Sequence, residues 1–562
     1  MKKIFVLLFC LITLSLNATI YYCAATGGND GNAGTNIAAP WATVQWAIEH
    51  TPSGDTCYFR AGTWQGTSAV SVDHLHVTTG TALHPTCYFN YPSEVPIIDG
   101  TNVTDAGNFG IQLTSMTYMH FKGITVRNFW ENINATGGQG FYPSNCNCIT
   151  FENCIAYNIG GRGFYSNTCD STIFLNCDAH DVCDYNGSPA GGGAQGFVII
   201  SNIGVKAWLT GCRAWRCSDD GFGFAYEGTY IVNACWSWDN SPSSHNGPYG
   251  IYPHGDGNGF KYGTFGIIDA PMSRMFTNCI ATYNYTDGFN ENADGETKHD
   301  GYLYNNIAYK NTEFGFVGRT PAYNLDNILW YKNNISYQNG NNSAAANASF
   351  DFTYEHEYNS WDLSVTVSDA DFVSVDSTGL SGARQADGSL PVLTFLHLKV
   401  GSDLIGKGIG VGLVYDGDSL YHNDPPDLGA FAYDGAEPEP PELPQISTTA
   451  ITTYNAYQST VGGTITSDGG GTISAAGVCW NTAINPTTAN SKITSSAVTG
   501  AFSGILYRTL LPGTTYHIRA YTTNETGTSY GADVAITIPK NTIMKTGAGK
   551  IYKYGTKILI YK

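Results

Sequence analysis

Two stretches hold the residues best suited to chemistry: Ser218-Asp219-Asp220-Gly221-Phe222 and Gly257-Asn258-Gly259-Phe260-Lys261. An acidic pair and a lone lysine each stand beside the same dipeptide, Gly-Phe. If Gly-Phe marks one place in a structural repeat, Asp220 and Lys261 are neighbours in space, although 41 positions separate them. Carboxylates stacked one or two layers apart repel unless a cation or hydrogen bonds relieve them. One reading is a Ca2+ site, since that ion takes oxygen ligands in irregular geometry. The other is that stacked Asn and Asp side chains only hydrogen-bond along turns. Two carboxylates are also the material of glycoside hydrolysis, one as acid and one as base.

The elements that must position these residues are legible as two interleaved ladders. The first reads Asn153-Cys154-Ile155-Ala156, Asn176-Cys177-Asp178-Ala179, Gly211-Cys212-Arg213-Ala214, Ala234-Cys235-Trp236-Ser237, Asn278-Cys279-Ile280-Ala281, Asn305-Asn306-Ile307-Ala308 and Asn333-Asn334-Ile335-Ser336. The second is Gly-Phe itself, with Phe at 164, 197, 222, 260, 289 and 316, in steps of 33, 25, 38, 29 and 27 residues. Short strands repeating at that period indicate a parallel β-helix, and unequal steps mean loops of unequal length at one corner. Each coil lies about 4.8 Å above the last, so equivalent residues form columns. The residue before Gly runs Arg162, Gln195, Asp220, Asn258, Asp287, Phe314. The residue after Phe runs Tyr165, Val198, Gly223, Lys261, Asn290, Val317. Cys154, Cys177, Cys212, Cys235 and Cys279 form an inward column of small buried thiols, whose parallel Cβ vectors suit a disulfide poorly. Cys146, Cys148, Cys23, Cys57 and Cys87 are the better disulfide candidates.

Composition agrees with a β-rich exported protein. Charged residues are only 13% of the 562-residue chain, while Gly (66) and Tyr (37) are abundant. A net charge of −19 excludes a broad nucleic-acid or anionic-membrane footprint, so attraction to a polyanion has to be local. Lys2-Lys3, the apolar run Ile4 to Leu14 and Leu16-Asn17-Ala18 form a signal peptide over 1–18, too short to span a bilayer. The expectation is a secreted or cell-surface bacterial protein, a monomer without a transmembrane segment.

The β-helix is expected over 19–435. Trp41, Val44, Ala47 and Ile48 fall at helical spacing and mark a capping helix within residues 19–65. This opening resembles the start of many bacterial right-handed β-helix proteins. Leu363 to Val367, Val392 to Leu398 and Leu428 to Phe431 read as last strands and an edge cover. A Pro/Glu linker (436–444) leads to a Thr/Ser-rich β-sandwich over 445–539, which resembles fibronectin type III modules around Leu511 to Tyr521. Residues 540–562 form a basic tail with six lysines. The fold class is therefore all-β, a right-handed parallel β-helix followed by a small β-sandwich.

The whole array from Ala194-Gln195-Gly196-Phe197 through Ser218 to Phe222 and Gly257 to Lys261, then Asp287-Gly288-Phe289-Asn290 and Asn305 to Tyr309, resembles polysaccharide lyase family 9. The similarity covers roughly 120–435. It implies β-elimination on a uronate polymer, with a Ca2+ held by aspartates and a lysine that removes the C5 proton. The base falls on Lys261. The metal ligands fall on Asp219, Asp220 and Gln195, the last standing where the family has aspartate. A further family aspartate falls on Gly223, so two of four expected carboxylates are absent, and Asp256 is close in sequence. Substrate contacts are expected from Asn258, Asn290, Arg213, Tyr262 and Trp238, and the partner is an acidic polysaccharide. Two alternatives are a hydrolase using Asp219 and Asp220, and a glycan-binding protein without catalysis, its rings (Trp215, Trp236, Trp238, Tyr262) stacking on sugars.

Overall fold

The computed structural model describes residues 18–560 except 67, 69, 74–78, 104–108, 131–137, 187–189, 243–244, 248–249, 264–272, 293–299, 319–328, 343–346, 351–354, 419, 421–424, 434–441, 452–457, 508–509, 540–542, 547–548 and 555–556. The signal peptide and most of the linker lie outside the described residues. The chain divides into two compact units, Met1–Gly435 and Ala436–Lys562.

The first unit is a parallel β-helix. One full coil consists of the strands Gln139–Ser144, Asn147–Glu152 and Ile155–Ile159. Each strand pairs in parallel with its equivalents in the coils before and after. The first two sheets merge where Phe197–Thr210 and Phe222–Asn233 run through the corner, and the third is a separate ladder of ten strands. The corner between the second and third sheets explains the Asn-Cys motif. Asn153, Asn176, Gly211, Ala234, Asn278, Asn305 and Asn333 all have φ between +49° and +62° there. Asparagine and glycine tolerate that left-handed conformation best, and the residue after each one turns into the core.

Stacked phenylalanines hold the coils in register. Phe141, Phe164, Phe197, Phe222, Phe260, Phe289 and Phe316 are fully buried, with successive ring centroids 4.7–4.9 Å apart. The glycine before each phenylalanine is required by close approach. A Cβ on Gly259 would lie 2.6 Å from the Gly288 carbonyl oxygen of the next coil. Buried amides form a second stack: Asn240, Asn284 and Asn311 each donate from Nδ2 to the Oδ1 of the next, ending at Asn339, at 2.8–2.9 Å. The fourteen described cysteines are all free. The five-cysteine column is wholly buried. Cys146 faces inward onto Cys169 of the following coil, while Cys148 bonds Asn147 Oδ1 at a half-buried corner, so this pair is not bridged.

At the N-terminal end the strands Ile20–Cys23 and Thr56–Phe59 pair in parallel, and the helix Val44–His50 buries Val44, Ala47 and Ile48. The Thr43 side chain caps it by accepting from the Trp46 N–H. The C-terminal part of this unit differs from expectation. Leu363–Val367 and Val392–Leu398 do not form strands, and only isolated bridges occur at Phe372, Ser374, Phe395 and Leu398. Instead the segment from about 360 to 433 runs as an irregular cover over the outer face of the third sheet. There Leu380, Phe395, Leu404, Leu428 and Phe431 bury Trp215, Trp236, Trp238, Ile280, Ile307 and Ile335. From Trp215 onward the sheet is apolar on its outer face as well as its inner one, and a sheet so built has to be covered.

The second unit has two antiparallel sheets around Val461, Val478, Trp480, Leu506 and Ile518. A further three-stranded antiparallel sheet spans Ile543–Thr546, Gly549–Tyr554 and Lys557–Ile560.

Phe222 has a ring on each face, so Phe222→Ala leaves a cavity in the middle of the stack. We expect a loss of about 3–5 kcal/mol, read as a lower urea midpoint of the β-helix.

Candidate active site

The Gly-Phe columns bring together the residues that the motifs mark. Phe222 pairs with Phe260 and Gly223 with Lys261. Lys261 Nζ lies 3.7 Å from Asp220 Oδ2 and 2.5 Å from Asp256 Oδ2. Asp219, Asp220 and Asp256 each present a carboxylate oxygen within 4.8 Å of the others. Asp220 is fully buried and Asp219 nearly so, while the Asp256 side chain is 56% exposed. The cluster thus has a buried floor and an open rim.

Backbone and amide donors hold the floor in place. Asp219 Oδ1 accepts from the Asp256 N–H at 2.8 Å, and its Oδ2 from the Gly193 N–H at 2.9 Å. Asp220 Oδ1 accepts from both the N–H and Nδ2 of Asn258, at 2.9 and 2.8 Å. Gln195 Nε2 bridges the pair, donating to Asp219 Oδ2 at 3.0 Å and Asp220 Oδ2 at 2.8 Å. The end of the Gln195 side chain packs against the glycine at 223. A Cβ on Gly223 would lie 2.1 Å from Gln195 Oε1. The longer amide occupies the space of the missing side chain, so the two departures from the aspartate pattern are one packing unit.

Three acids face one lysine, and the proton affinities of Asp219, Asp220 and Lys261 reflect it. Burial and the neighbouring Asp219 charge push the Asp220 carboxyl up to about 7. Burial likewise raises Asp219. Burial alone would depress the Lys261 ammonium, but Asp220, the hydrogen bond to Asp256 and Asp219 outweigh it and hold it above the usual lysine range. The donor set is all oxygen and carries one to two negative charges more than Lys261 balances. That fits a hard divalent cation held by Asp219, Asp220 and Asp256, with the Gln195 amide oxygen available after rotation.

The remaining expected residues divide. Asn258 and Asn290 lie beside the cluster but are buried, 2% and 6% exposed. Asn258 orients Asp220, and Asn290 Nδ2 donates to Asp287 Oδ2 at 2.6 Å. Arg213, Trp238 and Tyr262 are not brought to the site. Arg213 donates to both oxygens of Asp178 and to the carbonyls of Leu380 and Gly382, beneath the cover of the third sheet. Trp238 stacks on Trp215 under the same cover, at 4.7 Å. Tyr262 points into the core, its hydroxyl 2.6 Å from that of Tyr331. Asp256 was signalled only by its closeness in sequence. It belongs to no column and arrives on the loop before Gly257. A cavity of about 570 Å³ opens elsewhere, around Tyr58, Phe89, His120, Lys122 and Glu152, and shares no residue with the acidic cluster.

Fold and comparisons define the class, the parallel β-helix polysaccharide lyases. Within it the chain belongs to the Pel9A-like, right-handed β-helix family, whose model matches residues 21–359. Pectate lyase PEL9 of Emericella nidulans is 28% identical over 410 residues, which span 68% of this chain and 92% of that protein. Pectate lyase L of Dickeya dadantii is 26% identical over 437 residues, 75% of this chain and 92% of that one. The crystal structure of pectate lyase Pel9A superposes with a TM-score of 0.59 at 25% identity, covering 75% of this chain and 98% of that one. A rhamnogalacturonan lyase shares the fold, with a TM-score of 0.57 at 23% identity over 68% and 97% of the two chains.

Two outcomes are expected. An unfolded aspartate loses its proton near pH 4, whereas folded Asp220 keeps it to about 7. The folded state binds that proton more tightly, so this group's effect on stability worsens as pH rises from 4 towards 7. In chelator, Tm should fall between pH 5 and 7, and Asp220→Asn should reduce that slope, with buried Asp219 contributing the same sign. Secondly, Gln195→Asp/Gly223→Asp should bind Ca2+ about tenfold tighter than wild type by titration calorimetry, whereas Gly223→Asp alone, which has to displace the Gln195 amide, should gain less. The two substitutions should be non-additive by about 1 kcal/mol or more.

Proposed function

We propose that this polysaccharide lyase is secreted and cleaves a uronate-containing, pectate-like polysaccharide by β-elimination, with Lys261 as the base. The observation that carries this is the place of Lys261 Nζ, bonded to exposed Asp256 and 3.7 Å from buried Asp220 at the open rim of the cluster. Support comes also from relatives named pectate lyase.

Lys261 in its neutral form takes the C5 proton of the uronate. The C5–H electron pair becomes the C4–C5 double bond, the C4–O bond breaks, and the leaving oxygen takes up a proton from water. Ca2+ bound to Asp219, Asp220 and Asp256 would neutralise the substrate carboxylate and acidify C5–H. Asn258 keeps the Asp220 carboxylate in place, and Gln195 spans Asp219 and Asp220. Lys261 has to give up its proton before it can act, and the acids around it resist that. Neutralising those acids is therefore part of activating the base. Hydrolysis by Asp219 and Asp220 fits less well. Both are buried and share one Gln195 amide, which leaves no room for a sugar bond between them.

The test is the near-ultraviolet absorbance of the unsaturated product, on polygalacturonate and a panel of uronate polymers, with Ca2+ and with chelator. Wild type should give a rising signal, and Lys261→Ala should lower the rate about 10²–10⁴-fold. No signal on any polymer, with glycan binding retained, would overturn the lyase reading in favour of a binding protein.

A further inference from the structure

The two columns that meet at the acidic cluster continue along the coils nearer the N-terminus. Before Asp220 its column holds Gln139, Arg162 and Gln195. Before Lys261 the other column holds Tyr142, Tyr165, Val198 and Gly223. The columns face each other at several levels: Gln195 lies over Gly223, Asp220 approaches Lys261, and Arg162 lies over Tyr165. Arg162 Cζ is 4.6 Å from the Tyr165 ring centroid, and Tyr165 stacks on Tyr142 at 4.8 Å with 3° between the planes.

Arg162 differs from the other described arginines of the β-helix in being both solvent-reachable and without a carboxylate beside it; Arg274 also lies over a ring, that of Tyr230, but is fully buried. Arg60, Arg127, Arg213, Arg216 and Arg384 each bond a carboxylate. Arg162 is half-buried and, among the described residues, no carboxylate meets its guanidinium, which lies over the Tyr165 ring. One coil further down, Gln139 is 5% exposed and its Oε1 has no hydrogen-bond partner among the described residues. A guanidinium stacked on a ring keeps its edge free for bidentate bonding to a carboxylate. In a chain of net charge −19, a polyanion needs such local cations.

We propose that Arg162 binds the carboxylate of a second uronate of the same polysaccharide chain, on a floor formed by Tyr165 and Tyr142. The substrate then lies along the helix axis, from Lys261 towards the N-terminal coils. Arg162 and Lys261 belong to coils three steps apart, about 14 Å, too far for one sugar ring to touch both. The assignment rests on reading the site as that of a uronate lyase.

The test uses Lys261→Ala as a non-cleaving parent and titration calorimetry with galacturonate dimers and hexamers. Arg162→Ala and Arg162→Gln should weaken hexamer binding about tenfold and leave the dimer unchanged, and Arg162→Lys should recover part of the loss. A fully methyl-esterified hexamer should bind equally with and without Arg162. In the cleaving enzyme, KM for the hexamer should rise about tenfold with kcat within about twofold. Equal hexamer affinity for parent and all three variants, no hexamer binding by the parent, or the same loss with the methyl ester, overturns the assignment. If wild type cleaves nothing but the charge-dependent loss at Arg162 persists, the lyase reading fails and the Arg162 site stands.

Discussion

Everything in the β-helix depends on one repeated contact, the face-to-face stacking of an inward phenylalanine on the phenylalanine of the next coil. Each ring buries apolar surface worth about 1.5–3 kcal/mol. Its larger effect is on register, because a slipped coil would break both the ring stack and the amide stack of Asn240, Asn284, Asn311 and Asn339. With the inward phenylalanines held, Asp220, two residues before Phe222, and Lys261, directly after Phe260, take set heights on adjacent coils. Asp220 and Lys261 meet for that reason, and no contact between them is needed to bring them there.

The electrostatics of the site follow from where the floor lies. Asp220 and Asp219 are buried by the same coils that position them, so their charges are costly in the absence of a cation. The backbone N–H groups of Gly193, Asp256 and Asn258 relieve part of that cost. Lys261 relieves another part and is itself held protonated. The cluster is therefore mutually inhibiting when left to itself, acids suppressing base and base occupying acids.

Most of this was legible in the chain because a β-helix turns sequence period into spatial adjacency. The Gly-Phe steps vary between 25 and 38 residues, yet the pairing follows the dipeptide and ignores the loop lengths. The capping helix was readable from its apolar spacing, and the left-handed corners from their asparagines. Features outside the repeat were not readable in the same way. Arg213 and Trp238 look like exposed sugar contacts until a segment more than 120 residues further along buries them. That segment carries alternating apolar residues, which resemble strands, but its partners are outward side chains and not strand edges. Asp256 sits on a loop with no equivalent in other coils. The compensation between Gln195 and Gly223 is a matter of volume, which a column of letters does not display.

The cover also bonds the coils at particular heights. Arg384 reaches Asp178 and the Gly211 carbonyl, Asn278 donates to the Tyr415 carbonyl, Asn333 to that of Ile409 and Asn305 to that of Asp427. A bare solenoid can gain or lose a coil by duplication or deletion, since each coil touches only its neighbours. Here an extra coil would leave a strap of unchanged length spanning a longer face, with its anchor points one rung out of step. The strap therefore ties its own length to the number of coils in this chain, whereas the loops can vary in length without disturbing it.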